Sequence, residues 1–209
     1  SASMAKRTTS KPRKAPGQQR SRETVAAIIE AAARILAEEG ASGFNTNSVA
    51  RRAGVSVGSL YQYFPNKEAL VRSLLGRRIR AAEASRPPEL TEGSTASIEE
   101  GIRASVRWHV ATHLAEPKLE VVLIRLAADI LEEGEFEAFE HHYEQAVRRF
   151  LARHADRLRV RDADIAAFLV MQLLQSASNR ALVHHHAALK DGRLEAEMAD
   201  IILRYLVRD

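Results

Sequence analysis

Residues 54–70 of the 209-residue chain read GVSVGSLYQYFPNKEAL. Spaced at about 100° per residue on a short helix, Val57, Leu60 and Phe64 turn to one side, and Gly58, Ser59 and Gln62 turn away from it. A helix that only faces solvent would normally carry Lys and Glu there. This one carries no side chain at all, a hydroxyl and an amide, groups that approach a flat partner closely and hydrogen-bond its edges, as in the reading of bases in a DNA groove. Gly58 costs the helix about 1 kcal/mol relative to alanine, and what it offers is room for a close-lying backbone. Tyr61 and Tyr63 on the flanks can present hydroxyls to phosphate oxygens. Lys67 opens the next helix, where the helix N-terminus and an ammonium both favour an anion. Thr46 and Asn47, at the start of the preceding helix, suit the other strand's phosphates or a base, and Ser56 can serve as cap and phosphate donor. The bland alternative is an ordinary bundle, in which Tyr and Phe at helical spacing are core.

The elements that must hold these groups are helices. Ser21 is a plausible N-cap, followed by Val25, Ile28, Ile29, Ala32 and Leu36 at i, i+3, i+4 spacing, and Gly40 supplies the left-handed residue that ends the helix. Asn45 or Thr46 caps a second helix, Gly54 makes a tight turn, Ser56 caps a third, and Pro65 and Asn66 separate it from a fourth reaching about Glu83. Two short helices joined by such a turn make a helix-turn-helix, whose second helix can lie in a major groove. Residues 85–97, SRPPELTEGSTAS, read as a linker. Beyond it the periodicity predicts helices over about 98–115, 117–132, 135–156, 162–188 and 194–207, with Pro117, Gly134, the Asp162–Asp164 cluster and Gly192 as punctuation. The fold class is all-α with about nine helices and no strand.

Charge divides the chain unevenly. Residues 1–80 hold 15 Lys/Arg and 5 Asp/Glu, a net of +10, and the remainder has a net of −6. That asymmetry suggests a nucleic-acid-facing N-terminal part joined to something with another task, or a basic tail on a neutral enzyme. Residues 1–20 read as a flexible basic arm. The absence of cysteine excludes disulfides and thiolate metal sites and fits an intracellular compartment. The apolar runs are too short for a membrane span, and no secretory signal is expected from the basic start.

The run from Thr46 through Val49, Ala50, Ala53, Gly54, Val55, Ser56, Gly58, Ser59, Leu60, Tyr61, Tyr63, Phe64, Pro65, Asn66 and Lys67 to Leu70 strongly resembles the signature of the tetracycline-repressor (TetR/AcrR) family. With the helix before it, the resemblance covers about 50 residues. It implies a homodimeric transcription regulator without enzymatic activity or cofactor, with its head on a palindromic double-stranded operator and a small effector in its body. The family's DNA-contacting positions fall on Thr46, Asn47, Ser56, Val57, Gly58, Ser59, Tyr61, Gln62, Tyr63 and Lys67. Asn47 departs from the basic residue frequent there. The expected organisation is an arm over 1–20, a DNA-binding domain with its connecting helix over 21–84, and an effector-binding and dimerisation domain over 97–209, in a cytoplasmic, nucleoid-associated bacterial protein. Most members repress and some activate.

By the same resemblance the last two long helices form the dimer interface. Met171, Leu174, Ser178 and Leu182 make a stripe on the first, with Ile201, Ile202 and Tyr205 on the second. These residues can equally cover the body's own core. Polar side chains inside apolar periods are candidates to orient an effector: Trp108, His109, His113, Arg125, Asp129, Tyr143, Gln172, Gln175 and Asn179. Arg125 within VVLIRLAADI reads as a buried guanidinium with Asp129 as its partner. His109 and His113 have chelating spacing without an evident third ligand, and His184 to His186 diverge around their helix, so no metal site is expected. The alternatives are a DNA-binding dimer without an effector and an α-helical enzyme, for which no catalytic constellation is found.

Overall fold

The computed structural model describes residues 16–208, apart from the side chains of residues 16, 17, 133, 135–140 and 142. Most of the expected basic arm, residues 1–15, lies outside the described residues. Ten α-helices follow: α1 Pro16–Gly43, α2 Thr46–Ala53, α3 Val57–Tyr63, α4 Lys67–Ala84, α5 Ile98–Ala115, α6 Pro117–Ile130, α7 Glu133–Arg153, α8 Ala163–His184, α9 His186–Lys190 and α10 Arg193–Leu206. Short 3₁₀ turns occupy Pro88–Leu90 and Ala155–Arg157, and no named strand occurs among the described residues.

Local chemistry accounts for most boundaries. Helix α1 begins five residues before Ser21: Pro16 sits at its first position, where a missing N–H is no loss, and Gln19 reaches Glu23 one turn on at 3.1 Å. Gly40 interrupts this helix at φ 70°, ψ −167°, a conformation essentially confined to glycine. Asn45, not Thr46, caps α2 in a reciprocal box: Ser48 N–H donates to Asn45 Oδ1 at 2.9 Å, and Asn45 N–H donates to Ser48 Oγ at 3.3 Å. Gly54 closes α2 in the left-handed conformation, and its N–H donates to Arg51 O at 3.3 Å. Ser56 Oγ accepts from Ser59 N–H at 3.0 Å, and Asn66 Oδ1 accepts from Ala69 N–H at 2.9 Å, which starts α3 and α4. The helix expected over 162–188 is broken at His185. Histidine is a poor helix former, and the break lets Leu189 on α9 bury fully.

Two apolar cores result. One joins α1–α4 to α6 through Ile28, Leu36, Leu60, Phe64, Leu70 and Leu74 on the head side and Leu119, Leu123 and Leu126 on α6. The other joins α5 and α7–α10 through Ile102, Val106, Leu151, Leu174, Met198 and Ile202. Helix α6 therefore belongs to the head by packing although it follows the linker in sequence. Each fully buried Leu or Ile contributes about 1.5–3 kcal/mol, so the head and α6 are held as one unit.

Candidate nucleic-acid interface and effector cavity

Helix α3 is anchored by Leu60, which is fully buried, and by Phe64 one turn later. Val55 and Leu60 occupy the two positions of a hydrophobic staple around the Ser56 cap, and Val55 packs against the head core. This corrects the inward placement of Val57. It is 38% exposed and lies outside the core, because Val55 already fills the space at the start of the helix. Gly58 and Gln62 are exposed, Tyr61 is 47% exposed, and Ser59 is half-buried. Tyr63 is half-buried against the head core, so its ring is part of the scaffold.

Nothing inside the protein requires a glycine at position 58. A Cβ there would meet only Ser56 Oγ, at 3.9 Å, and the backbone is helical. The missing side chain matters only toward the outside. Tyr61 OH lies 3.1 Å from Thr46 Oγ1, which brings hydroxyls from α3 and the first turn of α2 to one point. Ser56 Oγ and Ser59 Oγ are 2.9 Å apart. Asn47 is exposed in the first turn of α2, and the Lys67 ammonium sits 5.4 Å from the centre of the Phe44 ring at the start of α4. Small, hydroxyl and amide groups thus form one surface, flanked by helix N-termini.

The body has a cavity of about 60 Å³ between α5, α7, α8 and α10, walled mainly by apolar side chains and by Trp108, His109, Tyr143 and Arg86. Its polar rim is tied to α4. Trp108 Nε1–H donates to Ala82 O and Ser85 Oγ, both at 3.1 Å. Arg86 pairs with Glu83, and its guanidinium lies 5.5 Å from the Trp108 ring centre. Arg78 makes two bonds of 2.6 Å to Glu120 and one of 3.4 Å to Tyr143 OH. Burial opposes the charge on Arg78, yet the Glu120 carboxylate and Tyr143 hold its pKa above the usual value.

His113 is fully buried behind this wall, and its Nδ1–H donates to His109 O at 3.0 Å. That bond fixes the proton on Nδ1 and turns Nε2 toward Glu120 Oε1 at 3.4 Å. Burial lowers the His113 pKa despite Glu120. Burial, with His113 and Arg78 adding to it, pushes His109 well below the ordinary histidine range. A wider cleft of about 310 Å³ lies between α4, α5 and α6, and its charged groups already pair with one another: Arg77 with Glu30 and Glu116, Arg78 with Glu120.

The structure gathers three of the sequence candidates, Trp108, His109 and Tyr143, on the cavity wall, with His113 just behind. Arg125 and Asp129 are exposed instead, because α6 turns Leu119, Leu123 and Leu126 to the head and leaves these two on the opposite side. Arg125 borders an open groove with Asn179, between α6 and α8. Gln172 is exposed, and Gln175 lies outside the cavity lining. Arg78, Arg86 and Glu120 were missed. Only Glu120 carried a signal, since it shares a helical face with the apolar Leu123 and Ala127. No group of three or more His, Cys, Asp or Glu able to hold a metal occurs among the described residues.

The apolar stripe read for α8 needs correction. Leu174 and Ser178 are buried inside the protomer, as is Ile202 on α10, while Met171 lines the cavity and Leu182 packs on the body core. The stripe faces inward because α8 packs against α5 and α7. The opposite face of α8 exposes Ile165, Phe168, Leu169 and Val183, and α10 adds Ile201, 50% exposed, and Tyr205.

Residues 28–74 match the description "Bacterial regulatory proteins, tetR family", and residues 97–206, more than half of the chain, match the "Tetracyclin repressor-like, C-terminal domain". The chain belongs to the TetR family. As a TetR-family protein it is a DNA-binding transcription regulator rather than an enzyme. It is similar to the HTH-type transcriptional repressor KstR of Mycolicibacterium smegmatis, 35% identical over 79 residues, 38% of this chain and 39% of that protein. It is also similar to a fatty acid metabolism regulator protein of Bacillus subtilis, 28% identical over 46% of this chain and 48% of that protein. The TetR chain thus matches less than half of the length of these curated relatives. Among solved structures, NalD of Pseudomonas aeruginosa superposes with TM-score 0.70 at 23% identity, covering 91% of this chain and 98% of that one. A SmeT–triclosan complex superposes with TM-score 0.72 at 19% identity, covering 89% and 92%. At these identities the solved structures establish the fold. No helix among the described residues is long and apolar enough to cross a membrane.

Proposed function

We propose that this TetR-family regulator is a cytoplasmic, nucleoid-associated repressor. It binds a palindromic operator as a homodimer, and a small molecule in the body cavity releases it. The observation that carries this reading is the tie between cavity wall and connecting helix. Helix α4 runs unbroken from Asn66, beside the recognition helix, to Ser85, and Trp108 on the cavity wall hydrogen-bonds its last turn. Eighteen residues span about 27 Å. The cavity has about 60 Å³ of space, well under the roughly 150 Å³ that holds a benzene. A ligand therefore has to push the wall aside, and the wall includes Trp108 and Tyr143, both bonded to α4. Two recognition helices entering successive major grooves need a separation of about 34–36 Å, so a displaced α4 spoils the fit. Release requires that the ligand bind the displaced state more tightly than the operator-bound one.

On this reading the twofold dimer forms through the apolar residues that α8 and α10 leave exposed. Ser56, Ser59, Tyr61, Gln62, Thr46, Asn47 and Lys67 contact the operator on this reading, with Gly58 and Val57 giving close approach. The test uses an operator selected from a random duplex pool by the purified protein. Steep weakening of binding with salt is expected, together with loss on Gln62→Ala and Tyr61→Phe while light scattering still reports a dimer. Unchanged affinity in both variants rejects the docking geometry.

A further inference from the structure

We propose that the cavity between α5, α7, α8 and α10 takes an uncharged, mainly hydrocarbon molecule with one neutral oxygen, a hydroxyl or a carbonyl, and that the Ser105 hydroxyl binds that oxygen. The proposal rests on the effector reading above and adds the chemical class of the ligand. Most of the wall is hydrocarbon, with Val106, Val147, Val170, Met171 and Ile202 as examples. Four polar side chains of the lining already have partners: Trp108 N–H with Ala82 and Ser85, Tyr143 OH with Arg78, Arg86 with Glu83, and His109 with the backbone of Leu174. Ser105 is the fifth. A serine inside a helix can turn its hydroxyl onto a carbonyl of the preceding turn, but Ser105 makes no such bond, and its hydroxyl has no partner among the described residues. Nor is that hydroxyl sealed into the packing, as the unpartnered Ser178 hydroxyl is. It is therefore the group of the wall that a ligand can engage without breaking a bond already made.

Ser105 stands on α5 one turn after Gly101, about 6 Å along the helix. A Cβ on Gly101 would fall 2.4 Å from the Phe150 ring, so the missing side chain lets that ring lie against α5. The hydroxyl thus has an aromatic wall one turn away, and a ligand can set its oxygen on Ser105 with a hydrocarbon body against Phe150. Charge does not fit this wall. A carboxylate would leave water to meet a lining guanidinium, Arg86, that is already paired. An ammonium would find no Asp or Glu among the lining residues. A serine hydroxyl both donates and accepts, so a neutral hydroxyl or carbonyl oxygen satisfies it.

Three probes with the same body test this: 4-propylphenol, propylbenzene and 4-propylbenzoate, titrated into the full-length protein without DNA. Trp108 is the chain's one tryptophan and lines the cavity, so its emission reports binding at this site. The phenol is expected to bind about five- to tenfold more tightly than propylbenzene, the net value of one hydrogen bond after exchange with water. The benzoate is expected to be the weakest of the three. Ser105→Ala, a change that favours the helix, is expected to erase the preference of the phenol over propylbenzene, and Ser105→Thr, which keeps the hydroxyl, to retain it. Tightest binding of the benzoate, binding of none of the three, or a phenol preference that survives Ser105→Ala each overturns the proposal. The wild-type comparison of probes stands even where a variant folds poorly. If the phenol binds through Ser105 and operator affinity is unaffected, the ligand class holds and the release mechanism falls.

Discussion

The head and the body of this protein bury different kinds of group. In the head core, Ile28, Leu36, Leu60, Leu70 and Leu74 pack together, and among the described residues of α1–α4 Ser48 is the one buried polar side chain, closing the α2 capping box. The body buries His109, His113 and Ser178, meets the buried Glu120 of α6 at His113, and leaves a gap beside His109. Apolar cores are close-packed and yield little, which suits a head that must present Gly58, Ser59 and Gln62 at fixed spacing. Buried polar groups beside a cavity have alternative arrangements, which suits a body that must respond. The contrast assigns rigidity and response to separate cores, with α4 and α6 between them.

The sharpest way to break that contrast is to unbalance the polar cluster. Glu120→Ala leaves Arg78 buried without its partner and is expected to destabilise the protein by about 3–5 kcal/mol. Thermal denaturation measures this, and the joint change Arg78→Met with Glu120→Leu is expected to recover most of the loss. Next in size, Gln62→Ala should weaken operator binding by about 1–3 kcal/mol with no change in melting temperature, since Gln62 is exposed. Cutting Trp108 from α4 sharpens the contrast further. Trp108→Phe keeps an aromatic wall and loses the bonds to Ala82 O and Ser85 Oγ. Operator affinity measured by anisotropy should fall by about 1 kcal/mol although no DNA-facing residue has changed.

A pH series probes the body alone. His109 and His113 have folded pKa values below the ordinary 6.5, so the unfolded chain takes up protons first as pH falls. Stability is complete above about pH 6.5 and is lost from there down toward the depressed folded values. Melting temperature should drop between pH 7.5 and 5.5, and His109→Leu should flatten the drop.

What could be read in advance follows the range of the interactions. Gly54, Ser56, Pro65, Asn66 and Pro117 mark boundaries through neighbours within a few residues, and α5 runs over the expected 98–115. The surface of α3 was legible for the same reason, apart from Val57, whose place depends on how Val55 fills the corner. The ion pair of Arg78 with Glu120 spans 42 residues, and α4 carries several arginines that local pattern cannot tell apart. Helix α8 is apolar on two faces, so periodicity alone could not say which stripe meets the core; contact with α5 and α7 decides it. The misplacement of Arg125 has a similar origin, since α6 turned out to pack on the head.

The most direct test of the account is Gly58→Ala, read by melting temperature and operator affinity on the same sample. Alanine finds only Ser56 Oγ at 3.9 Å and is a better helix former by about 1 kcal/mol. The melting temperature is expected to hold or rise while operator affinity falls. An alanine variant that binds the operator as tightly as the wild type would contradict it.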